Sequence, residues 1–168
     1  SGALKQVSVG RAGLVWGVNA SGKIYRRSGN TWSQVPGSLR HVSVASDGTV
    51  WGVNAQHKIY RRNGSSWTAV AGALKQIAVG SASLVWGVNA AGNVYRWTGS
   101  AWQQQPGKLS HVSVAADGAV WGVNSAGKIY RWSGSAWTQL PGALVQVSTA
   151  SAGLVWGVSG GGNIFRLR

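Results

Sequence analysis

The sequence predicts an all-β fold: a β-propeller of five 35-residue, four-stranded antiparallel blades, the fifth lacking its outermost strand. Three observations carry this. Trp16, Trp51, Trp86, Trp121 and Trp156 recur at a constant spacing of 35 residues, each opening a Trp-Gly-Val triplet. Each unit holds short runs rich in Val, Ile, Trp, Tyr and Thr, the composition of half-buried strands, and none is long enough for a helix. Three of the connections read as tight turns and the fourth as a longer link, so each unit is a chain of hairpins followed by one crossing, the sequence signature of a propeller blade. A β-solenoid, the competing repeat architecture, has shorter repeats without three consecutive hairpins.

In the first unit the predicted strands are residues 6–10, 14–19, 23–27 and 31–35. Asp47-Gly48 in the second unit marks the turn between strands one and two. Ala20-Ser21-Gly22 marks the next turn and Ser28-Gly29-Asn30 the third, with Gly supplying positive φ. Pro36-Gly37-Ser38-Leu39 is the crossing from the outer strand of one sheet to the inner strand of the next. The units are residues 2–36, 37–71, 72–106, 107–141 and 142–168 of a single domain. The fifth stops before an equivalent of Trp137, which predicts either an exposed edge at Ile164 to Arg166 or a strand supplied by a second chain, hence self-association through that blade. A period of 70 is superposed on the first. Even units carry His-Val-Ser-Val-Ala-x-Asp-Gly from His41 and His111, and odd units place Leu14, Leu84 and Leu154 before Val-Trp.

Composition bounds the chemistry. The 168 residues include 16 Lys and Arg, 2 Asp, 3 His and no Cys, a net charge of +14. Two carboxylates and no thiol leave little from which to build an enzyme site, so no catalytic residue and no cofactor are expected. His41, His57 and His111 have no repeated partner, so no metal site is expected. No run is long enough for a membrane span, and residues 1–5 do not read as a signal peptide. The charge favours encounter with polyanions, but there is no nucleic-acid-binding motif.

Repeated polar and aromatic residues are the candidates for binding. Asn19, Asn54, Asn89 and Asn124 end the second strand, either serving the turn or offering an amide to a ligand; the fifth copy is Ser159. Tyr25, Tyr60, Tyr95 and Tyr130 precede Arg26, Arg61, Arg96 and Arg131, with Phe165-Arg166 in the fifth unit. These arginines either cap loop carbonyls or stack on a Trp of the adjoining blade, or else form a ring that bonds ligand hydroxyls, carboxylates or phosphates. The Trp16 series reads as inter-blade core. Trp32, Trp67, Trp102 and Trp137 lie on the outer strand, covering the edge or stacking on sugars. The position after the arginine reads Arg27, Arg62, Trp97, Trp132 and Leu167, a mixture that predicts a solvent-facing site where Trp97 and Trp132 are exposed for binding. Asp47 and Asp117 are turn residues.

Val-Ser-Val-x-x-Asp-Gly-x-Val-Trp-Gly-Val-Asn, Lys-Ile-Tyr-Arg-Arg and Gly-x-x-Trp, as they stand between Val42 and Trp67, resemble the repeats of the tectonin family, to which tachylectin-1 and the fish-egg lectins belong. The resemblance spans essentially the whole chain, and the near-identity of the units suits an idealised member, designed or recently amplified. It implies a propeller, typically of six blades in that family, that binds glycans or lipopolysaccharide at several equivalent sites and faces the cell exterior. Four units keep the full Asn, Tyr, Arg and outer Trp set, which predicts up to four similar weak sites acting through avidity. The alternatives are a designed or structural scaffold without a ligand and a non-specific polyanion or nucleic-acid binder.

Overall fold

A computed structural model describes residues 3–167; the unit ends at Gly2 and Arg168 lie outside them. Among the described residues, nineteen strands form five antiparallel sheets in sequence order. Blade 1 is β1 (Leu4–Arg11), β2 (Leu14–Asn19), β3 (Lys23–Ser28) and β4 (Thr31–Ser38). Blade 2 is β5 (His41–Val44), β6 (Val50–Val53), β7 (Lys58–Asn63) and β8 (Ser66–Ala73). Blade 3 is β9 (Gln76–Ser81), β10 (Leu84–Val88), β11 (Asn93–Trp97) and β12 (Trp102–Lys108). Blade 4 is β13 (His111–Val114), β14 (Val120–Val123), β15 (Ile129–Trp132) and β16 (Trp137–Leu140). Blade 5 has three strands: β17 (Gln146–Ser151), β18 (Leu154–Val158) and β19 (Ile164–Leu167). Among the described residues there is no helix long and apolar enough to cross a membrane.

The predicted crossing is still strand. β4 runs on through Pro36 and Gly37, with a bulge that skips from Ile24↔Val35 to Lys23↔Ser38. The bulge turns the chain so that the N–H of Leu39 reaches the carbonyl of Gly22, 2.9 Å away. Leu39, Leu74, Leu109 and Leu144 then bury themselves against Gly52, Gly87, Gly122 and Gly157 of their own blade, where any side chain would collide with the leucine. This explains the Gly of every Trp-Gly-Val triplet.

The innermost strands β1, β5, β9, β13 and β17 pack side by side around an axis whose mouth is lined from all five blades, by Val9, Val44, Val79, Val114 and Thr149 among others. Blades join through four apolar clusters. In the first three, the Trp, Val and Ile (or Val94) of strands two and three meet the inner, third and outer strands of the next blade, as Trp16, Val18 and Ile24 meet Val42, Val44, Tyr60 and Trp67; in the fourth, Trp121, Val123 and Ile129 meet Val147, Val155 and Leu167, with no outer strand. Trp16, Trp51, Trp86 and Trp121 are buried accordingly. Among the described residues the ring is open: the strands of blades 5 and 1 make no extensive contact, Trp156 is 46% exposed and Val9 63%.

The 70-residue period is an alternation of junctions. From odd to even blades, the buried amide of Gln76 donates from Nε2 to the Val112 carbonyl (2.9 Å) and accepts the Val112 N–H (3.2 Å); Gln6 does the same to Val42. Gly10 and Gly80 leave room there for the carbonyls of Ala45 and Ala115. From even to odd blades, Asp47 and Asp117 each reach across the junction. Their Oδ1 accepts the turn N–H of Thr49 (2.8 Å) and Ala119 (3.0 Å), and their Oδ2 accepts the N–H of Ala82 (2.9 Å) and Ala152 (2.7 Å) in the next blade. Asp47 and Asp117 are therefore turn residues and inter-blade clamps at once.

Candidate functional site

The expected set of Asn, Tyr, Arg and outer Trp is divided by the pleat. Alternation along the third strand sends Tyr and the residue after Arg toward the preceding blade, and Ile and Arg toward the following one. One group therefore assembles at a junction and the other does not.

The assembled group is clearest between blades 2 and 3. Asn89, Tyr95 and Trp102 of blade 3 face the crossing Gly72, Ala73 and Leu74, and together they line a pocket of about 250 Å³. The same elements meet at the junctions on either side. Trp67 stands beside Gly37, and Trp137 beside Gly107, where an added Cβ would lie 3.2 and 3.1 Å from the indole. Tyr60 packs with Trp67 on the cluster containing Leu39, and Tyr130 with Trp137 on that containing Leu109. Asn54, Asn89 and Asn124 first serve their turns: Oδ1 accepts the N–H four residues on at 2.9 Å in each, as Asn19 does at 2.8 Å. The amide nitrogen is left for other partners, and in Asn124 it donates to the Tyr130 hydroxyl at 3.4 Å. Tyr95 and Tyr130 in turn donate to Gln104 and Gln139, both at 3.4 Å. The pocket between blades 2 and 3 thus offers an indole, a phenol and an amide, a combination that presents an apolar face beside hydrogen-bonding groups.

The outer tryptophans cover the preceding blade edge-on. Trp67, Trp102 and Trp137 lie 6.0, 5.9 and 6.0 Å from Trp16, Trp51 and Trp86. Trp32 is exposed, with no other blade against it among the described residues, and Tyr25 beside it is half-buried; Asn19 lines a separate hollow with Leu39, Arg40 and Ala55. In blade 5 the amide and outer indole are absent and Phe165 replaces Tyr, as the sequence indicated.

The Arg26 series points the other way. Arg26, Arg61 and Arg131 sit opposite Trp16, Trp51 and Trp121 in the cross-strand register, with guanidinium carbons 6.0, 5.9 and 5.9 Å from the ring centres. The stacking is on the Trp of their own blade, not of the adjoining one. Arg96 is in the same register with Trp86. Arg61 and Trp51 instead line a different hollow with Asp47, Arg62 and Ala82, on the side of the Asp-Gly turns. Arginine and the Asn-Tyr-Trp group therefore do not form one site.

The expectation that Trp97 and Trp132 are exposed is overturned. Trp97 is 9% exposed, 5.5 Å from Trp51 and 5.1 Å from Trp102; Trp132 lies 5.4 Å from Trp86 and 5.0 Å from Trp137. The position is an inter-blade core site in both. It accepts arginine because a flat guanidinium stacks where an indole does: Arg62 lies 5.8 Å from Trp16 and 5.2 Å from Trp67. Desolvation, and then the charge of Arg26, lowers the pKa of Arg62. Arg27, against which no other blade packs among the described residues, stays exposed and donates to the Gly29 carbonyl.

The carboxylates and imidazoles are structural. Burial alone would raise the Asp47 carboxyl, but N–H donors from Thr49 and Ala82 outweigh it and hold the group below the usual carboxylate range. The N–H donors of Ala152 and Ala119 do the same for Asp117. His41 and His111 occupy the position that Gln6 and Gln76 hold in odd blades, and although 70 residues apart they lie within electrostatic reach of each other. Desolvation pushes both down to about 4, helped by the charges of His111 and then Arg40 at His41, and by Lys75 at His111. Among the described residues no group of His, Asp and Glu is placed to hold a metal ion. The Gln clamps and the crossing residues Gly72 to Leu74 were missed in the sequence; the 70-residue alternation of Gln with His was the available signal.

The tectonin domain family matches residues 3–98 and 83–168. No curated protein matches the chain. Among solved structures it is similar to the WD40 β-propeller domain of Doa1 (TM-score 0.75, 12% identity, 97% of this chain and 62% of that one). It is also similar to YCF48 bound to D1 peptide (0.64, 19%, 97% and 66%) and to XC5397 from Xanthomonas campestris, a gluconolactonase (0.68, 15%, 94% and 69%). At these identities the likeness is one of fold, and the chain spans about two thirds of each.

Proposed function

The chain belongs to the tectonin family, and from that premise we propose that it is a multivalent carbohydrate-binding lectin that recognises surface glycans or lipopolysaccharide through the inter-blade pockets. The observation that carries this reading is the pocket of Asn89, Tyr95 and Trp102 against Gly72 to Leu74, with the same residue types recurring at the two neighbouring junctions. Three junctions hold the complete set. Each pocket is small and makes few contacts, so a single site is weak, about millimolar, and useful affinity comes from engaging a glycan-coated surface at several sites. The net charge of +14 adds long-range attraction to acidic glycans and to the phosphates of lipopolysaccharide. The reading assigns no reaction and no cofactor, and it places the work of the protein at an exterior surface.

A glycan array with a lipopolysaccharide panel, run at two salt concentrations, tests it. A sugar-specific signal that survives high salt supports the lectin, whereas uniform salt-sensitive binding supports charge alone and the polyanion alternative. Replacing Tyr60, Tyr95 and Tyr130 together with Phe removes the pocket hydroxyls while keeping the rings. Sugar binding should weaken with the melting temperature unchanged; unaltered binding, or calorimetric stoichiometry of one, would overturn the proposal.

A further inference from the structure

Between blades 4 and 5 an apolar cavity of about 370 Å³ opens among Ile129, Leu140, Gly142 and Leu144 on one side and Phe165 and Leu167 of β19 on the other. At the three preceding junctions an indole occupies the equivalent place. Cδ1 of Trp67, Trp102 and Trp137 lies 3.2, 3.1 and 3.1 Å from an added Cβ on Gly37, Gly72 and Gly107, whereas one on Gly142 would meet only Ile129. Trp67 and Trp137 also donate Nε1–H to the carbonyls of Pro36 (3.0 Å) and Pro106 (2.9 Å), and Pro141 stands at the matching position beside blade 5.

Beside this cavity, β19 pairs only with β18. Its outer edge is a row of backbone donors and acceptors with no strand against it among the described residues. In the other blades the outer strand meets this edge in a fixed register. Its Trp lies opposite the residue after Arg, as Arg62↔Trp67 and Trp132↔Trp137, and the residue three positions later, aliphatic in blades 1, 2 and 4 and Gln105 in blade 3, lies opposite Ile or Val94, as Ile59↔Val70 and Ile129↔Leu140. In blade 5 the facing residues are Leu167 and Ile164, and Ile164 is 70% exposed where Ile24 and Ile59 are fully buried.

We propose that the cavity and the edge of β19 form a docking site for an extended peptide strand of the class Trp-x-x-Val or Trp-x-x-Leu. The strand adds antiparallel to β19, seats its indole between Gly142 and Leu167 with Nε1–H toward the Pro141 carbonyl, and lays its aliphatic residue on Ile164. Backbone pairing supplies attachment and the Trp seat supplies selectivity, the division of labour of strand addition. A sugar is a poor match for this cavity, because the repeat's Asn and Tyr are replaced here by Ser159 and Phe165 and the lining, apart from Arg166, is apolar.

The probe is a synthetic peptide with the sequence of residues 134–141, Gly-Ser-Ala-Trp-Thr-Gln-Leu-Pro. Titrated into the full chain, it should bind once and slow hydrogen exchange of the 164–167 amides; its Trp→Ala form should bind at least about tenfold more weakly. A second chain carries a copy of residues 134–140 appended after Arg168, which fills the seat from within and should bind no peptide. Absence of binding, equal binding of the Trp→Ala peptide, or undiminished binding to the extended chain would each overturn the proposal. None of these outcomes depends on glycan binding.

Discussion

Acid should loosen this protein in a window set by two histidines. His41 and His111 have folded pKa values of about 4 against an unperturbed 6.5, chiefly through desolvation on the innermost strands of blades 2 and 4. Their Nδ1 atoms are buried with no hydrogen-bond partner among the described residues, so a proton gained there has no acceptor. Because the folded value is depressed, the unfolded chain binds more protons between about pH 6.5 and 4. Stability is therefore full above 6.5, falls as pH drops through the window, and levels off once both states are protonated. A fall from 6.5 to about 4 is worth about 3 kcal/mol per imidazole, and mutual repulsion makes the two protonations interdependent. The carboxylates of Asp47 and Asp117 act lower: their depressed values contribute stability above the usual carboxylate range that is lost only as pH falls below it. Denaturant unfolding followed by Trp fluorescence at pH 7.5, 5.5 and 4.5 reads the slope. The double variant His41→Gln, His111→Gln, carrying the residue of the odd blades, should flatten the profile above pH 4.5. A wild-type stability that does not change between pH 7.5 and 4.5, or an equal fall in the double variant, would refute the reasoning.

Two further outcomes follow from the junctions. Gln76→Leu leaves the N–H and carbonyl of Val112 buried without their clamp and should cost about 2–3 kcal/mol in denaturant unfolding, whereas Gln146→Leu, on a face that no described blade covers, should cost under about 0.5 kcal/mol. Arg62→Trp replaces a desolvated guanidinium, one nitrogen of which is buried without a hydrogen-bond partner among the described residues, by the indole that blades 3 and 4 use at the same position. It should stabilise the fold by about 1 kcal/mol, read as a rise in melting temperature.

The repeat sequence by itself determined the blades. The constant spacing of the Trp-Gly-Val triplets, the turn glycines and the short β-branched runs are local signals, and each acts within a single unit, so strand order and approximate bounds could be read directly. The degraded fifth unit was legible for the same reason: Ser159, Phe165 and the missing outer Trp are visible as departures from a pattern. What lies between blades was decided by the tertiary structure. Strand alternation shows that Tyr60 and Arg61 point to opposite sides, but only packing shows that one side meets the previous crossing and the other its own tryptophan. That separation divides the expected binding set. A mixed column of Arg and Trp suggested exposure, since hydropathy sets the two apart; in the junction both are flat groups that stack between indoles, and shape prevails over polarity. Gln6 and Gln76 showed in sequence only as an alternation with His, because their partners are backbone atoms of the next unit, whose positions exist only once two blades are docked.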